Sequence, residues 1–155
     1  MDDDLLAPQA ASPNPTWEVM LKRGVRRHCP RCGGGHVFDG YFRMKERCPS
    51  CGYKFEREQG FFVGAYLINF AITEGLLFIL MMVFIAILNA NSEADQRPIL
   101  AIGIALAIIG PTLFYPFART IWSAIDLGMT PLELPEIVAA NDHVHALHGD
   151  AVDGP

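Results

Sequence analysis

Four cysteines are arranged in the sequence as the ligand set of a metal site. Cys29–Gly33 and Cys48–Gly52, here called the first and second knuckles, repeat one pattern, C-P-x-C-G, and the full spacing is C-x2-C-x15-C-x2-C. Two residues between the thiols allow both sulfurs to reach one ion, and the glycine that follows can adopt a positive φ. Four thiolates complete a tetrahedron without an open position, which is typical of structural zinc. The sequence therefore predicts a structural zinc ion bound by Cys29, Cys32, Cys48 and Cys51.

Three other uses of these cysteines compete with zinc. Two disulfides would require an oxidising compartment, whereas the topology inferred below places the thiols in the cytoplasm. Thioredoxin-like redox chemistry requires a helix that starts at the first cysteine, and the three glycines Gly33, Gly34 and Gly35 disfavour such a helix. Iron in the same four-sulfur site is not distinguished from zinc by the sequence. We therefore expect zinc, with iron and redox use of the thiols as the alternatives that stay open.

Short strands and turns are the elements that would position the cysteines. Glycines at 33–35 and Asp39-Gly40 indicate turns, while 43–47 and 53–57 alternate as short strands, with Tyr53 and Phe55 on one face. This pattern predicts a small β zinc ribbon over residues 17–60. A core of this size needs its metal in order to fold.

Two long apolar runs follow the ribbon. Residues 61–88 contain one formal charge, Glu74, and residues 99–118 contain none. About 20 helical residues cross a bilayer core, so both runs are long enough to do so. The fold class is thus a small β zinc ribbon followed by an α-helical transmembrane hairpin. We predict transmembrane helices at 61–88 and 99–127, the second with an interfacial extension, joined by an extracytoplasmic loop at 89–98.

The charges are segregated along the chain. Of the 12 lysines and arginines, ten lie between Lys22 and Arg57, residues 17–60 carry a net charge of +5, and residues 126–155 carry −6. The positive-inside rule then places the N-terminus and, after two spans, the C-terminus in the cytoplasm. No signal peptide is expected, because acidic residues occupy positions 2–4. We predict disordered ends at residues 1–16 and, as an acidic tail, at 128–155.

The basic residues before the first span suggest a lipid rather than a nucleic-acid partner. Cations beside a membrane attract anionic headgroups, and no aromatic RNA-binding signature accompanies them. The cations in question are Lys22, Arg23, Arg26 and Arg27. They could also meet the acidic tail of the same chain. The expected partner of this segment is the lipid bilayer, and no nucleic acid is favoured.

Polar residues line one flank of the first span. Asn69, Thr73 and Glu74 are the candidates for an intramembrane polar site, and an ionisable group in a membrane is by default a functional candidate. Glu74 could handle protons or ions, could contact a neighbouring helix as a protonated acid, or could lie close enough to the surface to reach water. We favour the structural roles over ion handling.

The knuckles together with their surroundings resemble a known family. Around them stand Arg23-Gly24, Phe38-Asp39-Gly40-Tyr41-Phe42 and Phe55, and two hydrophobic spans follow. Over about residues 20–127 this combination is similar to the bacterial family catalogued as domain of unknown function 983. The resemblance implies a small integral protein of the bacterial inner membrane with a cytoplasmic ribbon and no assigned activity. Some members resemble companions of respiratory-oxidase assembly genes.

These observations favour a non-enzymatic function. The sequence shows no nucleophile motif, no paired carboxylates and no open metal site, and we identify no small-molecule substrate. We therefore expect a membrane-tethered interaction or assembly module whose helices pack against a protein partner or a second copy. The alternative is zinc or copper handling, or an ion or proton relay within a larger membrane complex such as a respiratory-oxidase assembly system.

Overall fold

The computed structural model describes residues 15–91 and 95–149, with side chains as far as residue 147. Within these ranges the elements are α1 (Trp17–Val25), β1 (Phe38–Asp39), β2 (Arg43–Met44), α2 (Val63–Ala90), α3 (Arg97–Met129) and α4 (Leu134–Gly149). The two short strands lie beside the cysteine cluster, and α2 and α3 form a hairpin of two long apolar helices, so the predicted fold class is confirmed. Most of the N-terminal segment predicted to be disordered lies outside the described residues.

The helices α2 and α3 contain 28 and 33 residues and are long and apolar enough to cross a membrane. Each begins and ends within about two residues of the predicted boundaries, so the helices include part of the predicted 89–98 loop. Pro111 and Pro116 lie inside α3 without ending it. The outward faces of both helices carry exposed large apolar side chains, as a lipid-facing surface requires.

The two long helices pack against each other as an antiparallel pair. Near their ribbon end, a methyl group at Gly64 would overlap the ring of Trp122, so the missing side chain permits close approach. Farther along, the Asn69 side-chain amide donates a hydrogen bond to the Pro111 carbonyl (2.9 Å). Gly103 then lies against Leu80. Small and polar groups at the contact are what membrane helices use to associate.

The ribbon has less regular strand than the sequence predicts. β1 and β2 pair antiparallel with Phe38 opposite Met44, and a single bridge joins Arg47 to Lys54. The two predicted strands, 43–47 and 53–57, pair with each other only beside the second knuckle, where Phe55 N–H donates to the Glu46 carbonyl (3.0 Å) in addition to the single bridge. The predicted facing is nevertheless present: Tyr53 and Phe55 are fully buried, and Lys54 is exposed.

Two further helices correct the predicted organisation. The helix α1, which the sequence analysis did not predict, packs on α3, where the Thr120 hydroxyl donates to the Gly24 carbonyl (2.7 Å). The tail predicted to be disordered over 128–155 is instead helical from Leu134 to Gly149, and residues 150–155 of that prediction lie outside the described residues. Its acidic composition was misleading because an arginine of the ribbon neutralises part of that charge, as described below. We call residues 17–60, which comprise α1 and the ribbon, the head.

Candidate metal centre and its attachment to the helices

The two knuckles have the same backbone hydrogen-bond pattern. In the first, Gly33 N–H donates to the Cys29 carbonyl (2.8 Å), and in the second, Gly52 N–H donates to the Cys48 carbonyl (2.9 Å). Each first cysteine N–H in turn donates to the carbonyl five residues ahead, at 2.9 Å in both copies. Gly33 and Gly52 have φ of 80° and 67°, a conformation that favours glycine. The repeated C-P-x-C-G sequence therefore folds into a repeated turn.

The turns bring the four predicted ligands together. The Sγ atoms of Cys29, Cys32, Cys48 and Cys51 all lie within 4.8 Å of one another. Two pairs across the knuckles, Cys29–Cys51 and Cys32–Cys48, are separated by 3.8 and 3.7 Å. A tetrahedral ion with metal–sulfur bonds of about 2.3 Å requires sulfur–sulfur edges of about 3.8 Å. A disulfide would need about 2.05 Å, so these free thiols fit one metal ion and not two disulfides.

The four thiols are crowded and partly buried, so they could all be ionised only if a cation were bound between them. Cys29 and Cys48 are buried and Cys51 is half-buried, whereas Cys32 is exposed. Contact with the other thiols, led by Cys32, together with burial raises the pKa of the Cys29 thiol well above its ordinary value. Gly34 N–H donates to the Cys32 sulfur (3.3 Å). A divalent cation bound here would supply the charge that keeps all four groups as thiolates and would join the two knuckles.

Arginines of the head support the knuckles through carbonyl oxygens. Arg23 donates to the carbonyls of Pro30 (3.1 Å) and Arg31 (2.7 Å), and Arg47 donates to that of Gly52 (3.2 Å). Arg23 was among the cations predicted to face lipid, and in the structure its guanidinium donates to carbonyls of the first knuckle. Side-chain donors of this kind satisfy carbonyls that a ribbon with little strand leaves without a backbone partner.

The turn between β1 and β2 fixes the ribbon to α3. The Tyr41 hydroxyl donates to the Leu113 carbonyl (2.5 Å), and the Phe42 ring lies 6.0 Å from that of Tyr115. Arg27, another cation predicted to face lipid, lies over the Tyr41 ring (5.0 Å) and the Phe117 ring (5.6 Å). Of the four predicted lipid-facing cations, Lys22 and Arg26 are exposed. The ribbon is therefore held directly against the apolar helix.

Arg57 joins three segments of the chain. Its guanidinium forms a two-point contact with Glu136 on α4, with distances of 2.7 and 2.8 Å. The same group donates to Asp126 (3.0 Å) and to the Thr130 carbonyl (2.7 Å) at the end of α3. Burial alone would lower the pKa of Arg57, but the hydrogen bonds to both carboxylates raise it. Arg57 thus connects the ribbon to the ends of α3 and α4.

The same contacts change the pKa of Glu136. Burial would raise it, but the hydrogen bonds from Arg57 and from the Glu133 N–H, together with the Arg57 charge, hold it below its ordinary value. The ionised carboxylate is therefore the form that the folded protein stabilises.

The second knuckle is in direct backbone contact with α4. A methyl group at Gly52 would overlap the Ala140 carbonyl, and Ala140 is itself buried. Gly40 offers a comparison, because it has a similar positive φ of 76° and nothing within 4 Å of the position of a methyl group.

We expect Gly52→Ala to displace α4, whereas Gly40→Ala leaves α4 in place. Both substitutions lower the free energy of unfolding by about 1–2 kcal/mol, because alanine is disfavoured in the left-handed conformation. Only Gly52→Ala also creates an overlap with the Ala140 carbonyl. Hydrogen exchange of the α4 amides measures the difference. Equal protection of α4 in the two variants would show that the helix does not depend on this contact.

The predicted intramembrane residues are separated by the structure. Asn69 and Thr73 are 8% and 7% exposed and lie at the contact between α2 and α3, where the Thr73 hydroxyl donates to the Asn69 carbonyl (2.9 Å). Glu74 is exposed on α2, away from them. The three residues therefore do not form one polar site within this chain.

The residues that attach the ribbon were not identified from the sequence as a site. They are Tyr41, Arg57, Asp126 and Glu136. The one sequence signal that points to them is the charge complementarity of a basic head and an acidic tail.

A family model described as "Protein of unknown function (DUF983)" matches residues 38–126, more than half of the chain. The chain belongs to the DUF983 family. The match confirms the resemblance, although it begins at residue 38 rather than near 20, after Cys29 and Cys32. It includes the second knuckle, both long helices as far as Asp126, and Arg57. Searches among curated proteins and among solved structures found no match to this DUF983 chain.

Proposed function

We propose that this DUF983 protein is a non-enzymatic module of the bacterial inner membrane, in which a cytoplasmic zinc ribbon presents a rigid binding surface to a protein partner. The observation that carries the proposal is the attachment of the ribbon to two helices, α3 and α4. Tyr41 fixes it to α3, and Arg57 fixes it to α3 and α4. A ribbon held in this way has one orientation relative to the two apolar helices.

The metal site supports a structural rather than a catalytic role. All four ligands come from the protein, so a tetrahedral ion would have no position left for a substrate. Cys29 and Cys48 belong to the same buried cluster as Tyr53 and Phe55. The metal therefore takes the place that a larger hydrophobic core would fill in a bigger domain.

A groove beside the ribbon supplies a surface for the partner. Its volume is about 910 Å³, and it runs between the β1–β2 hairpin, the segment before α2 and Arg119 on α3. Six basic and four acidic side chains line it, among them Arg43, Lys54 and Glu56. Because the groove is lined by both positive and negative charges, it suits a protein segment with charges of both signs better than a polyanion such as a nucleic acid.

The proposed topology follows from which elements share one end of the helical hairpin. The ribbon, α1 and α4 all contact the same end, so the two ends of the described chain lie on one side of a membrane that α2 and α3 would cross. Ten of the twelve lysines and arginines belong to the head on that side. The positive-inside rule assigns this side to the cytoplasm.

Metal analysis of the full-length protein tests the proposed zinc site. We expect about one zinc per chain after purification in mild detergent and prolonged dialysis, because a four-thiolate structural site holds its ion tightly. If the chain contains iron instead, the assignment of the metal as zinc is wrong but the proposed structural role stands. A chain that is folded without any metal would contradict the structural role.

The exposure of Cys32 favours one alternative, metal handling, in which zinc or copper is passed to a partner through this sulfur. Transfer requires an exchangeable ion and a head that keeps its fold without it. Competition with a chelator, monitored by metal release and by proteolysis of the head, separates the two functions. Release with an intact head supports metal handling, and release with loss of the fold supports the structural role.

Photo-crosslinking tests the proposed groove. A photoreactive residue at Lys54, which is exposed in the groove, should yield an adduct with another protein in native membranes. Lys22, which is exposed on α1 and does not line the groove, is the matched control position. Adducts of equal yield at both positions would contradict a specific partner surface.

A further inference from the structure

Glu74 lies on an outward face of α2. It is exposed, and it forms no hydrogen bond or ion pair with residues 15–91 or 95–149. The rings of Tyr66 and Tyr115 lie 6.1 Å apart on the two helices, and we take them as the level of the interfacial aromatic belt. Glu74 follows Tyr66 by eight residues, which places it about 12 Å deeper, close to the middle of a hydrocarbon core of about 30 Å.

A carboxyl at this depth is costly if it faces lipid. Ionisable side chains in membrane helices almost always face the interior of a helix bundle or water. The interface between α2 and α3 does not provide that shelter, because it is occupied by Asn69 and Thr73. The outward face of α2 around Glu74 therefore requires a cover from outside this chain.

The residues around Glu74 on this face follow a heptad pattern. Spacings of four and three alternate along α2 through Leu67, Ala71, Glu74, Phe78, Met81 and Ile85, all of which are exposed. Such a seam is the pattern by which two helices interdigitate side chains in a left-handed pair. Glu74 is its one polar position, and a single polar residue in a seam fixes the register of the partner helix.

We propose that a second copy of this chain covers the seam, so that the two α2 helices pack in parallel and their Glu74 carboxyls hydrogen-bond to each other. This inference rests on the proposed function in one respect, namely that α2 and α3 span a bilayer. Copies inserted in one membrane share one orientation, so a twofold axis along the membrane normal places both Glu74 side chains at the same depth.

The chemistry of Glu74 favours a second copy over a different protein. A protonated carboxyl donates one hydrogen bond and accepts others, so two such groups satisfy each other without any basic residue. A different partner would have to supply its own polar group at the matching depth. The pairing also explains why the acidic residue lies at the centre of the seam and not at its edge.

Photo-crosslinking along α2 tests the dimer with a matched pair of positions. Phe78 and Ile79 are adjacent and equally exposed, at 58% and 59%, but only Phe78 belongs to the seam. A photoreactive amino acid at Phe78 of the full-length protein in membranes should give a homodimer, and the same group at Ile79 should not. Homodimer at both positions, at neither position, or an adduct of Phe78 with a different protein would overturn the proposal.

Substitution of Glu74 tests the carboxyl itself. Interhelical hydrogen bonds in membranes contribute about 1–2 kcal/mol in model peptides, so Glu74→Leu should weaken dimerisation about tenfold. Glu74→Gln, whose amide also donates and accepts, should keep most of the affinity. Energy transfer between labelled chains diluted in lipid measures the dimerisation affinity of both variants and of the parent protein. Equal affinity in all three would show that Glu74 does not contribute to the dimer contact. Resistance to carbonate extraction, measured on the same samples, shows whether the chain is inserted, so failure of the membrane assignment is distinguished from failure of the dimer.

Discussion

Replacement of Cys48 by serine is expected to abolish metal binding and to unfold the head while leaving α2 and α3 inserted. Cys48 is fully buried, and the buried cluster that contains it has five large apolar members, which are Met20, Val37, Tyr53 and Phe55 of the head and Leu127 of α3. Structural zinc contributes about 10–16 kcal/mol in small zinc domains, as much as the total stability of about 5–15 kcal/mol of an ordinary domain. The remaining contacts in the head cannot offset a loss of that size. Limited trypsin digestion measures the effect, since ten lysines and arginines of the head should become cleavable.

Ser50 provides the matched control for this experiment. It lies in the same knuckle, it is exposed, and its side chain is not one of the four ligands. Ser50→Ala should therefore keep one metal ion per chain and the protease resistance of the parent protein. A Cys48→Ser protein that also keeps both would show that the four-sulfur cluster is not what holds the head together.

The parts of the fold that the sequence predicts are those set by local patterns. The knuckles are determined within five residues by a cysteine pair and a glycine that permits positive φ, so their geometry follows from the C-P-x-C-G repeat. The spans depend on length and hydropathy alone. The position of α4 has no such local cause: its anchor, Arg57, precedes Glu136 by 79 residues. Composition alone suggested disorder there, because it does not show which charges are paired.

The intramembrane residues illustrate a second limit of the sequence. Thr73 and Glu74 are neighbours, but consecutive residues on a helix point about 100° apart. Whether a given direction faces another helix or lipid depends on where α3 packs, and that is set by small contacts such as Gly64 against Trp122. The polar flank predicted from the sequence therefore divides into Asn69 and Thr73 at the helix contact and Glu74 on the outward face.

Replacement of Arg57 by leucine is expected to release α4 from the ribbon. The side chains of Arg57, Asp126 and Glu136 are 11%, 20% and 33% exposed. Their burial is therefore intermediate between that of a surface salt bridge and that of a buried one. Removing one partner costs up to about 1 kcal/mol at the surface and about 3–5 kcal/mol in the interior, so we expect about 2 kcal/mol here. Exchange of the α4 amides should then be about thirtyfold faster. Arg57→Lys, which keeps the charge but loses the two-point contact, should give a smaller change.

The same contact predicts how the docking of α4 depends on pH. Since the folded protein holds the pKa of Glu136 below its ordinary value, the carboxylate stabilises the fold fully above the unfolded pKa of about 4.3. That contribution is lost as the pH falls through the lower, folded pKa. In Arg57→Leu this acid-dependent release of α4 should become smaller, because the hydrogen bonds and charge of Arg57 are gone and the Glu133 N–H is the remaining group that lowers the pKa of Glu136.

Arg43→Leu distinguishes loss of the Arg57 contacts from a general loss of positive charge. Arg43 is exposed in the same groove and forms no ion pair with the described part of the chain. Its replacement should leave both the protection of α4 and the acid dependence unchanged. If Arg57→Leu also leaves them unchanged, the packing of Gly52 on Ala140 and the hydrogen bond from Arg47 to the Ala139 carbonyl (3.5 Å) would hold α4. In that case the charge complementarity between head and tail would contribute to topology and not to the fold. The two variants together therefore decide whether the Arg57 contacts hold the acidic tail in place.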